Sequence, residues 1–206
     1  MDEITKVLYW ISTGLLVPTI VLLLVFFLRA LMLIGTFYGM YIQKIKFNKG
    51  FNQVVNQLTK DNVQQLLANE QFSNKLLVVH FLKKIRGIKK SDIHYEKALS
   101  DFEIACQKDL SGSQTLARLG PVLGLMGTLI PMGPALVGLA AGDIESMAAN
   151  MQVAFATTVI GLLTGAVGFV VLQVKKRWFA ADISNLEFIT ELLKQANDVP
   201  VEKMNE

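Results

Sequence analysis

Residues 120–134 read GPVLGLMGTLIPMGP, and this stretch combines four glycines, three prolines and one hydroxyl without any charged side chain. It belongs to a charge-free run, 119–142, that is long enough to cross a bilayer, which requires about 20 apolar residues. Glycine and proline weaken a helix in water but are more frequent in transmembrane helices than in soluble ones. The stretch therefore predicts a membrane helix with a face of small residues.

Two further charge-free runs, 7–28 and 146–174, reach a similar length. The chain has 206 residues, of which 52% are hydrophobic, and its mean hydropathy of +0.42 is high for a soluble domain. The first run is too long for the apolar part of a cleaved signal peptide, so we expect a retained helix. Because no strand pattern or hairpin turn competes, the sequence predicts an all-α membrane protein with three transmembrane helices.

The charge pattern divides the chain into six segments. We predict a first transmembrane helix at 1–41, a cytoplasmic helical domain at 42–115, a second transmembrane helix at 116–141, an outer turn at 142–146, a third transmembrane helix at 147–174 and a cytoplasmic C-terminal helix and tail at 175–206. Lysine and arginine follow spans one and three and precede span two, whereas the turn after span two has only acidic charges. The positive-inside rule then places the N-terminus outside and the main domain and C-terminus in the cytoplasm.

The cytoplasmic segments have helical periodicity, so spans one and two are expected to extend into a cytoplasmic helical bundle. Asp61 and Gln64 resemble a capping box, and a new helix is expected to begin near Ser91 or Asp92. Its packing stripe is predicted to contain Ile93, Leu99, Phe102, Cys106 and Leu110. The tail repeats Phe179, Ile183, Leu186, Ile189 and Leu193 at intervals of three or four, and we expect it to pack on the same domain.

Spans two and three both carry small residues at helical spacing. Gly120, Gly124 and Gly127 share one face of span two, and Gly161 and Gly165 share one face of span three. Such faces bring helices close together in membranes. The hydroxyls predicted to face an ion path or a partner are those of Thr128, Thr157, Thr158 and Thr164. The residues predicted to pack the helices and to shape the path are Gly120, Pro121, Gly124, Gly127, Pro131, Pro134, Gly161 and Gly165.

The prolines favour an ion path over simple helix packing. Pro131 and Pro134 lack an amide hydrogen, so the carbonyls of Gly127 and Ile130 lose their usual helical donors close to Thr128. Irregular backbone is tolerated at membrane depth where it lines a cavity. However, neither span two nor span three contains Asp, Glu, His or Lys. A proton path requires a titratable group, so a partner has to supply the carboxylate.

Other classes of function find no support in the sequence. His80 and His94 lie far apart without a cysteine nearby, and Cys106 stands alone on an apolar stripe, so we expect neither a metal site nor a catalytic thiol. The positive-inside bias explains the basic residues between 83 and 90 better than a site for nucleic acid or anionic lipid does. No phosphate loop, carboxylate pair or serine elbow is present, so we expect no enzyme activity and no cofactor.

Two motifs resemble a known family. LARLGPVLGLMGT at 116–128 resembles the second-span signature of the MotA/TolQ/ExbB proton-channel family, and AFATTVIGLLTG at 154–165 resembles its third-span signature. The topology is similar to that of the TolQ and ExbB branch. Thr128 and Thr158 match the two threonines that are taken in this family to face the pore and a partner aspartate.

The resemblance implies a ring-forming homo-oligomer, a pentamer, around two copies of a single-span ExbD-, TolR- or MotB-like subunit that carries a membrane aspartate. It implies a stator that converts the flow of protons or sodium ions into mechanical work in the cell membrane. The chain departs from the pattern at Pro131 and Pro134, and at Val153, where ExbB has a glutamate. The alternatives are a flagellar-type stator, a non-conducting oligomeric scaffold and a self-contained transporter, although no internal repeat supports the last.

Overall fold

The computed structural model describes residues 2–59, 76–86 and 92–197, and within these ranges all regular structure is helical. The helices are α1, Asp2–Gly14; α2, Leu16–Asn56; α3, Leu77–Arg86; α4, Asp92–Ala140; and α5, Ile144–Asn197. Within the described ranges, three helical stretches are long and apolar enough to cross a membrane, namely Tyr9–Asn48, Asp92–Ala140 and Ile144–Ala196. The all-α class with three candidate spans is therefore confirmed. The predicted capping box at Asp61 and Gln64 lies outside the described residues.

The first helical segment is interrupted at Leu15, one turn before Pro18. The Leu15 amide donates to the carbonyls of both Ile11 and Ser12, each at 3.1 Å, so the last turn of α1 is tightened. The ring of a proline in a helix clashes with the carbonyl four residues earlier, here that of Gly14. The position of Pro18 thus gives a physical reason for the break between α1 and α2.

The chain forms two compact units. The first contains Met1–Phe37 and Ser111–Gln173, and the second contains Tyr38–Leu110 and Val174–Glu206. In the first unit the end of α4 and the start of α5 are joined by a short turn at Gly142, whose φ of 74° lies in the left-handed region that glycine adopts readily. Asp143 caps the start of α5, because its Oδ1 accepts a hydrogen bond from the Ser146 amide at 3.0 Å.

The second unit has a hydrophobic core to which four helices contribute. From α2 come Phe47 and Phe51, whose rings stack at 4.8 Å between centroids. Phe81 of α3 contacts Phe102 of α4, with centroids 5.3 Å apart. To this core α5 contributes the buried residues Phe179, Leu186, Ile189 and Leu193, with Ile183 packed against them. The prediction that the C-terminal stripe packs on this domain is therefore confirmed.

The packing stripe of α4 is shifted from the predicted one. Phe102 and Cys106 are buried as expected, but Ile93 is 76% exposed, and Tyr95 and Ala98 are buried instead. The prediction for Ile93 was wrong because one apolar residue at the first turn of a helix says little about the helix's rotation. The buried residues step by three and four from Tyr95 onward, and this spacing defines one side of the helix.

Cys106 lies in this core, and its chemistry follows from its burial. Burial raises the pKa of its thiol to about 12, and the carboxylates of Asp182 and Asp109 act in the same direction. The thiolate is the reactive form, so at pH 8 we expect maleimide to label Cys106 of the folded protein at least ~100-fold more slowly than in SDS. Because the chain has one cysteine, labelling can be followed by the mass of the whole protein. Rapid labelling of the folded protein would show that this core opens readily.

Candidate functional site

The candidate site lies where α4 and α5 cross within the first unit, and small residues hold the two backbones in contact there. A Cβ atom placed on Gly161 would lie 2.5 Å from the Gly124 Cα and 2.8 Å from the Gly120 carbonyl oxygen. Both neighbours are backbone atoms, which cannot rotate away. Gly161 is therefore required by its close approach to Gly120 and Gly124, as expected for membrane helices that pack through small residues.

The close contact continues toward the start of the α4 span. A Cβ on Gly120 would lie 2.7 Å from the Gly165 amide nitrogen, and a Cβ on Gly165 would lie 2.5 Å from the Pro121 ring. Beyond them, a Cβ on Gly168 would lie 2.5 Å from the Ala117 amide nitrogen. We call the contact formed by Gly120, Gly124, Gly127, Gly161, Gly165 and Gly168 with their neighbours the glycine seam.

At the other end of the glycine seam, Gly127 lies against Thr157. A Cβ on Gly127 would lie 2.6 Å from both Cβ and Oγ1 of Thr157. The Thr157 hydroxyl is satisfied within its own helix, because it donates to the Val153 and Ala154 carbonyls, at 2.9 Å each. The structure thus brings Thr157 into the contact between the two spans.

The four candidate threonines differ in burial. Thr157 is 5% exposed and Thr164 is fully buried, whereas Thr128 and Thr158 are half-buried in the single chain. Thr164 donates to the Ile160 carbonyl at 2.8 Å, and Thr158 donates to the Ala154 carbonyl at 3.1 Å. Thr128 and Thr158 therefore retain accessible surface in the single chain, while Thr157 and Thr164 have almost none.

The three prolines of span two lie inside a continuous helix, α4. Pro131 is fully buried and Pro134 is half-buried. The Thr128 hydroxyl donates to the Leu125 carbonyl at 2.7 Å, not to the Gly127 carbonyl that Pro131 leaves without its usual donor. Thr128 thus does not compensate for the missing amide.

Two features of the structure were not foreseen from the sequence. Lys44 and Asp182, 138 residues apart, form a buried ion pair in the second unit, with the Lys44 Nζ at 2.6 and 2.5 Å from the two carboxylate oxygens. The sequence does contain an indication that Asp182 is buried, since it interrupts the apolar stripe of the tail between Phe179 and Leu186. In the first unit, the buried hydroxyl of Ser113 has no hydrogen-bond partner among the residues that the structure describes.

Comparison with known proteins agrees with the two motifs of the spans. The model of the MotA/TolQ/ExbB proton channel family matches residues 41–187. The match includes all of the glycine seam and all four candidate threonines. No curated protein matches the chain.

Proposed function

The chain belongs to the MotA/TolQ/ExbB proton channel family, and we propose that it is the ion-conducting stator subunit of a complex in the cell membrane. In this proposal it conducts protons or sodium ions and, through an ExbD-, TolR- or MotB-like partner, converts their flow into mechanical work. The family is one of channels and not of enzymes. The observation that carries the proposal is the glycine seam with Thr128 and Thr158 left partly open beside it.

The glycine seam limits where ions can pass. Where Gly124 meets Gly161, the two backbones are too close even for a methyl group. An ion with part of its hydration shell therefore cannot pass between spans two and three of one chain at that level. The path we propose runs along the outside of this pair, where the hydroxyls of Thr128 and Thr158 remain partly exposed.

The four threonines then take two roles in the proposal. Thr128 and Thr158 face the ion and the partner, and their hydroxyls supply oxygen ligands or hydrogen bonds. The burial of Thr157 and Thr164 favours a packing role for these two residues, with their hydroxyls bonded to carbonyls of their own helix. Pro131 contributes by depriving the Gly127 carbonyl, next to Thr128 in the chain, of its usual amide donor.

The titratable group has to come from outside the chain. Residues 119–142 and 146–174 contain no acidic side chain, and Asp143 is occupied in capping the start of α5. We therefore propose that several copies, a pentamer in this family, surround a single-span partner whose aspartate carries the proton or binds the sodium ion. One elementary charge falling through about 100 mV releases about 2.3 kcal/mol, which is enough to bias one small step of a central helix within a ring.

The orientation in the membrane follows from the basic residues. Lys44 and Lys46 follow the predicted first span, Arg118 directly precedes the charge-free run 119–142, and Lys176 and Arg177 follow span three. These residues are expected on the cytoplasmic side of the membrane, and Asp143 is expected outside. Among the branches of the family, the topology favours a TolQ/ExbB-like complex over a flagellar-type stator.

The proposal is tested by ion flux into liposomes that contain the protein together with the single-span, aspartate-bearing protein that co-purifies with it. We expect Thr158→Val and Thr128→Val to assemble normally and to reduce partner-dependent flux by about tenfold or more, because valine keeps the shape and removes the oxygen. Thr157→Val and Thr164→Val are expected to have smaller effects on flux. Separate proton and sodium gradients identify the ion.

Thr36→Val is a matched control, because Thr36 is an exposed threonine of span one whose hydroxyl also bonds to carbonyls of its own helix. It is expected to leave the flux unchanged. Full flux in the Thr128→Val and Thr158→Val variants would show that these hydroxyls do not take part in ion conduction. An assembled complex without flux under either gradient would instead favour the non-conducting scaffold.

A further inference from the structure

The second unit has a groove of about 160 Å³ between the start of α4 and the end of α5, and the proposed ion path does not use it. Its wall includes Leu99 and four charged residues, Glu96, Glu187, Glu191 and Lys194. Three carboxylates stand against one ammonium group, so the described wall has a net charge of −2. We call it the acidic groove, and its charge suits a partner surface rich in lysine.

The pairing of Lys194 does not remove this excess of negative charge. The Lys194 ammonium group bonds to Glu96 at 3.0 Å, so these two side chains neutralise each other. Neither Glu187 nor Glu191 forms an ion pair with a lysine or arginine that the structure describes. The pKa of Lys194 is raised by its hydrogen bond to Glu96 and further by the charges of Glu191 and Asp92. The start of α4 thus adds a further carboxylate close to the acidic groove.

The same unit also has a surface of the opposite charge, formed by α3 and α4. Asp101 accepts hydrogen bonds from two lysines, Lys84 at 2.7 Å and Lys97 at 2.5 Å, so one carboxylate is shared by two ammonium groups. Lys83 is exposed next to Lys84 on α3. In the sequence, residues 83–90 contain five basic residues and no acidic one. We call the surface formed by Lys83, Lys84 and Lys97 the basic face.

The basic face and the acidic groove lie on different sides of α4. Glu96 and Asp101 are five residues apart, which places them about 140° apart around the helix axis. On the side of Asp101, α4 contacts α3 through Lys84. On the side of Glu96, α4 contacts the end of α5 through Lys194. Each copy of the second unit therefore presents two surfaces of opposite charge in two directions.

A closed ring of identical copies requires this kind of arrangement, because each copy meets its two neighbours through two different, complementary surfaces. We propose that the basic face of one copy docks on the acidic groove of the adjacent copy. The inference rests on the proposed function, since it requires a ring of copies. Exposed charges contribute little to affinity but select the orientation of partners. The contact therefore sets the orientation of neighbouring second units and is not what holds the ring together.

The test uses the full chain with its co-purified partner in detergent and a carbodiimide, which couples a lysine to a carboxylate where the two are in direct contact. We expect covalent dimers on a denaturing gel, joined between the peptides around Lys83 and Glu187. Lys83→Glu and Glu187→Lys are each expected to lower the yield of these dimers at least about fivefold, and the two together to restore it, because the charges are exchanged. Glu103→Gln, on α4 but outside the described wall, is expected to leave the yield unchanged.

The mass of the complex in the same detergent separates this contact from the ring itself. A ring in which these peptides are not coupled, or are coupled only within one chain, would overturn the proposal. Full yield in either single variant, or a double variant as low as the single ones, would do the same. Both positions are exposed, and the unfolding midpoint verifies that the variants fold. A complex with only one copy of the chain would contradict the proposed function as well.

Discussion

Gly161→Ala is expected to lower the midpoint of thermal unfolding in detergent by roughly 2–12 °C and to abolish ion flux. The added methyl group would lie 2.5 Å from the Gly124 Cα and 2.8 Å from the Gly120 carbonyl oxygen, so the two helices have to move apart. Overpacking of this kind costs typically about 1–3 kcal/mol, and 1 kcal/mol corresponds to about 2–4 °C in a protein of this size. Flux is affected more strongly because helix separation displaces Thr128 and Thr158.

Gly35→Ala provides the matched control. Gly35 is also a helical glycine of a candidate span, but a Cβ there would meet no atom within 4 Å. Since alanine is a better helix former than glycine, this variant is expected to be at least as stable as the unaltered protein. Measurement of the unfolding midpoint and of flux for both variants separates close contact from a general effect of replacing glycine. A Gly161→Ala protein with normal stability and flux would show that the glycine seam is not required.

The second large effect is expected from Asp182→Asn, which breaks the buried ion pair with Lys44. Both side chains are 4% exposed, and the Lys44 Nζ also lies 5.3 Å from the centre of the Phe47 ring. Removal of one partner leaves the other charge buried without compensation, which costs about 3–5 kcal/mol. We expect the unfolding midpoint to fall by roughly 6–20 °C.

A double variant distinguishes the cost of leaving one buried charge without a partner from the net contribution of the ion pair to stability. Burial raises the pKa of the Asp182 carboxyl, and Lys44 opposes this shift only in part. Burial of the ionised pair therefore costs desolvation free energy. The double variant Lys44→Met, Asp182→Leu is expected to be nearly as stable as the unaltered protein, or more stable. If the double variant were as unstable as Asp182→Asn, the pair itself would be the stabilising element.

Asp101→Asn serves as the control on the surface. Hydrogen bonds from Lys84 and then Lys97 hold the pKa of Asp101 at about 2, so it is charged at neutral pH. The two contacts measure 2.7 and 2.5 Å, similar to those of the buried pair, but they are open to solvent. Exposed ion pairs contribute little to stability, so the unfolding midpoint of this variant is expected to be close to that of the unaltered protein.

The sequence determined the features that depend on neighbouring residues along the chain. Uninterrupted apolar runs identified the three candidate spans, because a bilayer requires a minimum length without charge. The intervals of three and four along the tail, from Phe179 to Leu193, identified the face that packs in the second unit. The spacing of Gly120, Gly124 and Gly127 in one helix, and of Gly161 and Gly165 in the next, likewise indicated that two helices approach closely, because such intervals place small residues on one face of a helix with 3.6 residues per turn.

The tertiary structure alone decided which residues meet across the chain. Thr157 and Thr158 are adjacent in sequence, yet Thr157 lies against Gly127 whereas Thr158 remains partly open, and a rotation of α5 by a fraction of a turn separates these outcomes. The partnership of Lys44 with Asp182 likewise depends on the register of two distant helices. Periodicity fixes which residues share a face, but the rotation and register of packed helices are set by the fit of all their side chains at once.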